Sequence, residues 1–377
     1  VTKAVFETAT FADVIKKADR VAPSKGNAFD KAAGIIIAVH PGDEANVVVR
    51  ATNLNVYSME WVDFVELSGE PVEWRIPSRL FAQVIASLPI GTGKTVTLEE
   101  VTQNGKTHLA LSSGRTKAKF NLMQVEHYPA WSAFDPTNLI KADNLGGKIA
   151  QVEWAAAKSD ADSQLEGVHF DGEHALATNR YRLACAELHI PDLPASVTVP
   201  AGILGQILKQ TGEVMIGVTE HQLLLMPDDS TQIRAILYGG EYPKVERIMN
   251  REYPDILKVR KTPLLEVMTR ATAFAGADRF PKLRVFIGRE EIAVMMDNEE
   301  VGLLGDVVEV AGYATHPRVE MFFTPQYLID AVTFAPSEEI EIHYDHENPS
   351  RIVYIDGGSG YEVWVMPRKA NQVEQGS

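Results

Sequence analysis

The chain has 377 residues, 45% of them hydrophobic, and its 51 acidic and 36 basic side chains leave a net charge of −15. That content supports a sizeable core and more than one domain of the usual 100–150 residues. The longest apolar run, Ala32 to Val39, is interrupted by Gly34 and far shorter than the roughly 20 residues of a bilayer span. A lone Cys185 excludes an internal disulfide, and Lys3, Glu7 and Asp13 stand where a signal peptide needs an apolar core. These features lead to the expectation of a soluble protein of a reducing cytoplasm.

Taken in order, Phe11 to Ala22 puts Phe11, Val14, Ile15, Ala18 and Val21 on one helical face, and Ala45 to Ala51 is strand-like. Ile76-Pro77-Ser78-Arg79 then opens a second helix, followed by the strand Thr95–Leu98 and by Lys119-Phe120-Asn121-Leu122 before Tyr128-Pro129. The order recurs. A short helix candidate at Val152–Lys158 precedes Val199-Pro200-Ala201-Gly202 with its helix, the strand Val214–Val218, and Arg234–Leu237 before Tyr242-Pro243. A third round has Pro263–Ala275, Arg284–Gly288, Phe323-Thr324-Pro325 with its helix, Ile340–Tyr344, and Val363–Val365 before Pro367. The helix prolines are 123 and 125 residues apart, too far for a solenoid unit and right for a small domain in tandem. The chain therefore reads as α+β, three copies of two helices on an antiparallel sheet, with domains at 1–135, 136–254 and 255–377.

Motifs for chemistry are weak. Ile90-Gly91-Thr92-Gly93-Lys94-Thr95 is half of a P-loop, but Leu88 stands where the other glycine belongs and the order is helix, loop, strand, so a plain turn is expected. His343-Tyr344-Asp345-His346-Glu347 holds two imidazoles, yet residues three apart on a strand face opposite ways, and a solvated hairpin tip before Asn348-Pro349 is expected rather than a metal site. Cys185 sits in the apolar run Leu183–Ala186 as an inert buried thiol. No catalytic residue, metal or cofactor is expected.

The most specific signal is Leu165-Glu166-Gly167-Val168-His169-Phe170 followed by Ala177-Thr178-Asn179-Arg180-Tyr181-Arg182-Leu183-Ala184. It resembles the middle-domain signature of the bacterial DNA polymerase III beta subunits, the DNA sliding clamps. Gly240-Glu241-Tyr242-Pro243 through Arg247-Ile248, Ser113-Gly114-Arg115 with Phe120-Asn121-Leu122, and Val365-Met366-Pro367 fall in register with the same family. The resemblance implies a non-enzymatic replication factor: a head-to-tail homodimeric ring, with helices lining a hole around duplex DNA, opened by a clamp loader and tethering a DNA polymerase. It further implies a peptide-binding pocket drawing on Leu165, Thr178, Arg182, Leu183, Pro243 and Arg247, together with Ile248, Phe280, Tyr327, Val365, Met366 and Pro367. Phe120 and Leu122 would lie at the dimer interface, with Phe274 on the partner side.

Charge distribution bears on DNA. The six helix candidates (11–22, 78–88, 152–160, 201–211, 262–275 and 325–335) sum to +1, so the acid lies on sheets and loops. Lys16, Lys17, Arg20, Arg79, Lys158, Lys209 and Arg270, with Lys25 and Arg279 on following loops, are the expected DNA-facing cations. Departures from the family pattern are Arg180-Tyr181 for its Gly-His pair and Arg368-Lys369 after Met366-Pro367. They imply a more basic pocket rim and a phage-like or specialised clamp. A clamp for repair or late transcription, and a three-domain scaffold that does not encircle DNA, are the alternative readings.

Overall fold

The computed structural model describes residues 1–23, 31–130, 138–208, 212–276, 278, 280–298, 300–311, 314 and 316–369. It divides into two compact units, Val1–Gly146 with Gln206–Leu237, and Gly147–Gly205 with the chain from Tyr238 onward. All strand pairings are antiparallel.

In the first unit one sheet runs in the order Glu66–Ser68, Lys3–Glu7, Thr95–Gln103, Lys106–Ser113, Thr116–Asn121. A second, of eight strands, runs Ile140–Asp143, Glu213–Val218, Gln222–Asp228, Thr231–Ile236, Val56–Trp61, Asn46–Thr52, Ile35–His40, Val72–Ile76. Its middle is the pairing of Thr231–Ile236 with Val56–Trp61, so strands far apart in sequence make one continuous sheet. Helix Thr8–Val21 buries Phe11, Val14, Ile15, Ala18 and Val21, the stripe its 3.6-residue period sets out. Phe11 stacks on Phe6 at 4.3 Å and meets Phe81 of helix Ser78–Ala86 edge-on at 6.3 Å. Each buried Phe removes enough apolar area from water to contribute about 2–3 kcal/mol.

The second unit has an eight-stranded sheet in the order Val197–Pro200, Gly167–Phe170, His174–Thr178, Arg182–Glu187, Tyr361–Val365, Val353–Asp356, Glu339–Tyr344, Asp255–Arg260. A four-stranded sheet runs Gly302–Glu309, Glu291–Asn298, Leu283–Ile287, Val319–Phe323. Helices Lys261–Phe274 and Pro325–Thr333 bury Leu264, Val267, Met268 and Ala271, and Leu328, Ala331 and Val332.

Two helix expectations need correcting. The helix expected over 152–160 lies earlier, at Leu145–Val152, and Glu153–Ala155 is only a 3-10 turn. Trp154 Nε1 donates at 2.6 Å to the Gln151 carbonyl, the acceptor that a further helical turn would use, and the Glu153 carboxylate accepts the Gly202 N–H at 3.0 Å. The helix expected over 201–211 is Leu204–Leu208 where described, and Pro200 ends a strand rather than opening that helix. Pro325 is the first helical residue, as its fixed φ favours, whereas Pro77 stands at the N-cap.

Candidate functional site

Strand register sorts the expected pocket residues of the second unit onto two faces. Thr178 pairs with Leu183 and Leu183 with Trp364, while Arg182 pairs with Val365; cross-strand partners share a face. Leu183, Leu176, Cys185 and Trp364 form an apolar floor on which Tyr242, Val245, Ile248 and Met249 pack. Pro243 and Arg247 stand exposed at its margin. Burial pushes the Cys185 thiol well above its usual range, so it is a packing residue.

Arg182 and Val365 lie on the opposite, helix-facing side of the same strands. Arg182 is 8% exposed, with its guanidinium between the rings of Trp154 (4.8 Å) and Tyr327 (4.5 Å). It donates to Asp330 at 2.9 Å and to the Trp154 carbonyl. Burial lowers its pKa, and the Asp330 carboxylate opposes that shift. Leu165 is likewise core, at 1% exposure.

The turn joining the two floor strands is built by Asn179. Its Oδ1 accepts the N–H groups of Tyr181 and Arg182, its Nδ2 donates to the Tyr327 hydroxyl at 3.2 Å, and Arg180 takes a left-handed φ of 73°. Tyr181 thereby projects, 62% exposed, and its carbonyl accepts the Met366 N–H at 2.8 Å. The segment after Met366 is pinned: Arg368 donates through Nη1 to the Phe280 and Pro281 carbonyls, each at 3.2 Å, and through its backbone N–H to Phe322. Tyr181, Met366 and Phe280 are thus exposed apolar groups fixed by main-chain bonds, with Pro367 half-buried beside them.

Arg180 is held by Asp160 at 3.0 Å, and this contact, with backbone N–H groups, keeps the Asp160 carboxyl below its usual range. Arg247 has no acidic partner among the described residues, and Lys244 only a distant one, Glu241 at 3.9 Å. The loop carrying Tyr242 and Pro243 is anchored by Gln164, 2% exposed, whose Nε2 donates to the carbonyls of Tyr238 (2.8 Å) and Gly240 (3.0 Å). The pocket expected from the sequence did not include Gln164, Trp364 or Tyr242, although Tyr242 lies in its Gly240–Pro243 motif. Trp364 Nε1 and the Tyr242 hydroxyl are buried without a hydrogen-bond partner among the described residues, so two donors stand unused in this apolar cluster. The aromatic spacing before Val-Met-Pro was the available signal for Trp364.

Among the expected DNA-facing cations, Lys16 and Arg20 are exposed on helix Thr8–Val21, and Arg20 donates to the Gln206 carbonyl at 3.1 Å. Lys17 instead bridges Asp13 (3.1 Å) and Glu60 (3.5 Å), Arg79 lies 3.6 Å from Asp19, and Arg270 is paired with Asp306 at 2.7 Å. Lys158 is exposed but follows the 3-10 turn rather than sitting on a helix. Lys25, Lys209 and Arg279 lie outside the described residues. Phe120 is half-buried with its ring 5.1 Å from Phe81, Leu122 is half-buried beyond the same edge strand, and Phe274 is half-buried at the end of its helix.

Edge strands, helix pairs and an apolar patch between strand turns define the class: the chain has the fold of the bacterial sliding clamps. The beta subunit of DNA polymerase III from Thermotoga maritima superposes with a TM-score of 0.83 at 20% identity, over 98% of this chain and all of that one. The Bacillus subtilis clamp gives 0.80 at 19% over 98% and 100%, and the Pseudomonas aeruginosa clamp, solved with griselimycin, gives 0.79 at 18% over 98% and 99%. More particularly, residues 139–244 match the family model of the DNA polymerase III beta subunit, central domain. No curated protein sequence matches the chain.

Proposed function

We propose that the protein is a DNA sliding clamp, a processivity factor without covalent chemistry that encircles duplex DNA and tethers a polymerase. The observation that carries this reading is agreement with the clamp fold over 98% of the chain, joined to a central segment of the beta-subunit type. In this reading the domains are 1–135, 136–254 and 255–377, and two copies close head to tail through exposed sheet edges. Thr116–Asn121 and Gly302–Glu309 supply such edges. The decisive experiment loads the protein on a nicked circular plasmid and then linearises it. Retention on the circle and loss from the linear form is expected; equal loss from both refutes encirclement.

The apolar floor under Tyr181 and Met366 is the proposed dock for short linear peptides of polymerases and of the clamp loader. With Arg180 held by Asp160, Arg247 supplies the basic margin. A peptide with an acidic residue beside its apolar anchors is therefore expected to bind several-fold more tightly than its neutral counterpart in calorimetry. Arg247→Glu should abolish that preference; no preference in the native chain removes the proposal.

A further inference from the structure

We propose that Asp255, His316 and His346 form a binding site for a divalent transition-metal ion of the zinc class. Asp255 opens the strand Asp255–Arg260, His316 precedes Val319–Phe323, and His346 follows Glu339–Tyr344. The Asp255 carboxylate has no exposed area, and both imidazoles present Nδ1 to it, His346 at 2.7 Å and His316 closer still on the other oxygen. The two rings stack with centroids 3.9 Å apart and planes 14° from parallel. The ligand atoms of all three residues lie within 4.8 Å of one another.

This convergence could not be read from His343-Tyr344-Asp345-His346-Glu347. His343 stays in its sheet, 4.7 Å from Tyr354, while His346 turns away to meet two residues remote in sequence. The position of His346 is fixed by its own backbone N–H, which donates to Asp255 at 2.8 Å. That of His316 is fixed by the Tyr344 hydroxyl, which donates to its carbonyl at 2.9 Å.

A buried carboxylate faced by two imidazole nitrogens supplies a three-ligand set of the kind zinc takes, once the stacked rings splay so that each Nδ1 points at the ion in its own ring plane. A cation at about 2.0–2.1 Å from each ligand would separate the ligand atoms to roughly 3.4 Å, so binding widens the present hydrogen bonds and turns the two rings out of their parallel stack. His316 is 51% and His346 31% exposed in the side chain, which leaves solvent access to a further coordination position. The ion would clip together three segments that otherwise meet through hydrogen bonds and ring stacking.

The test uses the untagged full chain, stripped with chelator and titrated with zinc sulfate alone. One equivalent should bind, the imidazole signals of His316 and His346 alone should shift in nuclear magnetic resonance, and cobalt substitution should give visible ligand-field bands. The variant His316→Gln/His346→Gln should lose at least tenfold in affinity, whereas His189→Gln, at an exposed imidazole beside Glu173, should not. No zinc uptake by the native chain, shifts at other histidines instead, or unchanged uptake by the double variant overturns the proposal.

Discussion

Glu60 occupies the inward face of strand Val56–Trp61, in line with Val56 and Ser58, and is 3% exposed. Burial raises its pKa to about 7, against the attraction of Lys17. Lys17 is about a third exposed and shifts upward, which favours the ionised pair; the carboxylate, having lost more hydration, determines the direction for Glu60. A carboxyl whose folded pKa exceeds its unfolded one binds protons more tightly when folded, so its contribution is lost as pH rises from about 4.5 through 7. Denaturation of the native chain should show stability falling by about 1–3 kcal/mol over that window from this group, and Glu60→Gln should flatten the fall. Arg182 gives the converse case. Asp330→Ala leaves a buried guanidinium without its carboxylate, and a loss of about 3 kcal/mol is expected in the same assay. Composition suggested neither pairing: alternation along one strand places a residue on a face, but its ion partner comes from another element.

Helices show how local preference and packing divide the control of structure. The three Pro-led segments were legible because φ at proline is fixed and an apolar stripe follows, and two of the three begin helices directly at or after the proline. Leu145–Val152 was hidden by Gly146-Gly147, which reads as a turn. The structure explains the first glycine: a Cβ on Gly146 would sit 2.1 Å from the Leu208 carbonyl oxygen, a backbone atom that cannot step aside. Gly146→Ala should therefore destabilise by about 2 kcal/mol or more in thermal unfolding, although helix propensity alone favours alanine by roughly 1 kcal/mol. The same logic divides the candidate site. Its motif residues were legible one by one, whereas the face each occupies depended on register, which moved Arg182 and Val365 away from Leu183 and Trp364.

At the scale of the molecule, the edge strand Gly302–Glu309 exposes Leu303 by 64% and Val307 by 54%, apolar side chains on a strand paired along one side only. Both side chains are exposed, and in the proposed head-to-tail ring Leu303→Glu/Val307→Glu should yield monomers in sedimentation without loss of secondary structure. Phe120 is the poorer probe of the edge strand Thr116–Asn121, because its ring also packs on Phe81. Strand Tyr361–Val365 has a different consequence. It lies in the interior of its sheet, between Arg182–Glu187 and Val353–Asp356. During synthesis the earlier strands of that sheet emerge with an open edge and must wait until Val365 clears the ribosome before the sheet can close. The interval leaves an apolar, pairing-competent strand exposed in the nascent chain, where misassociation or a chaperone competes with correct closure.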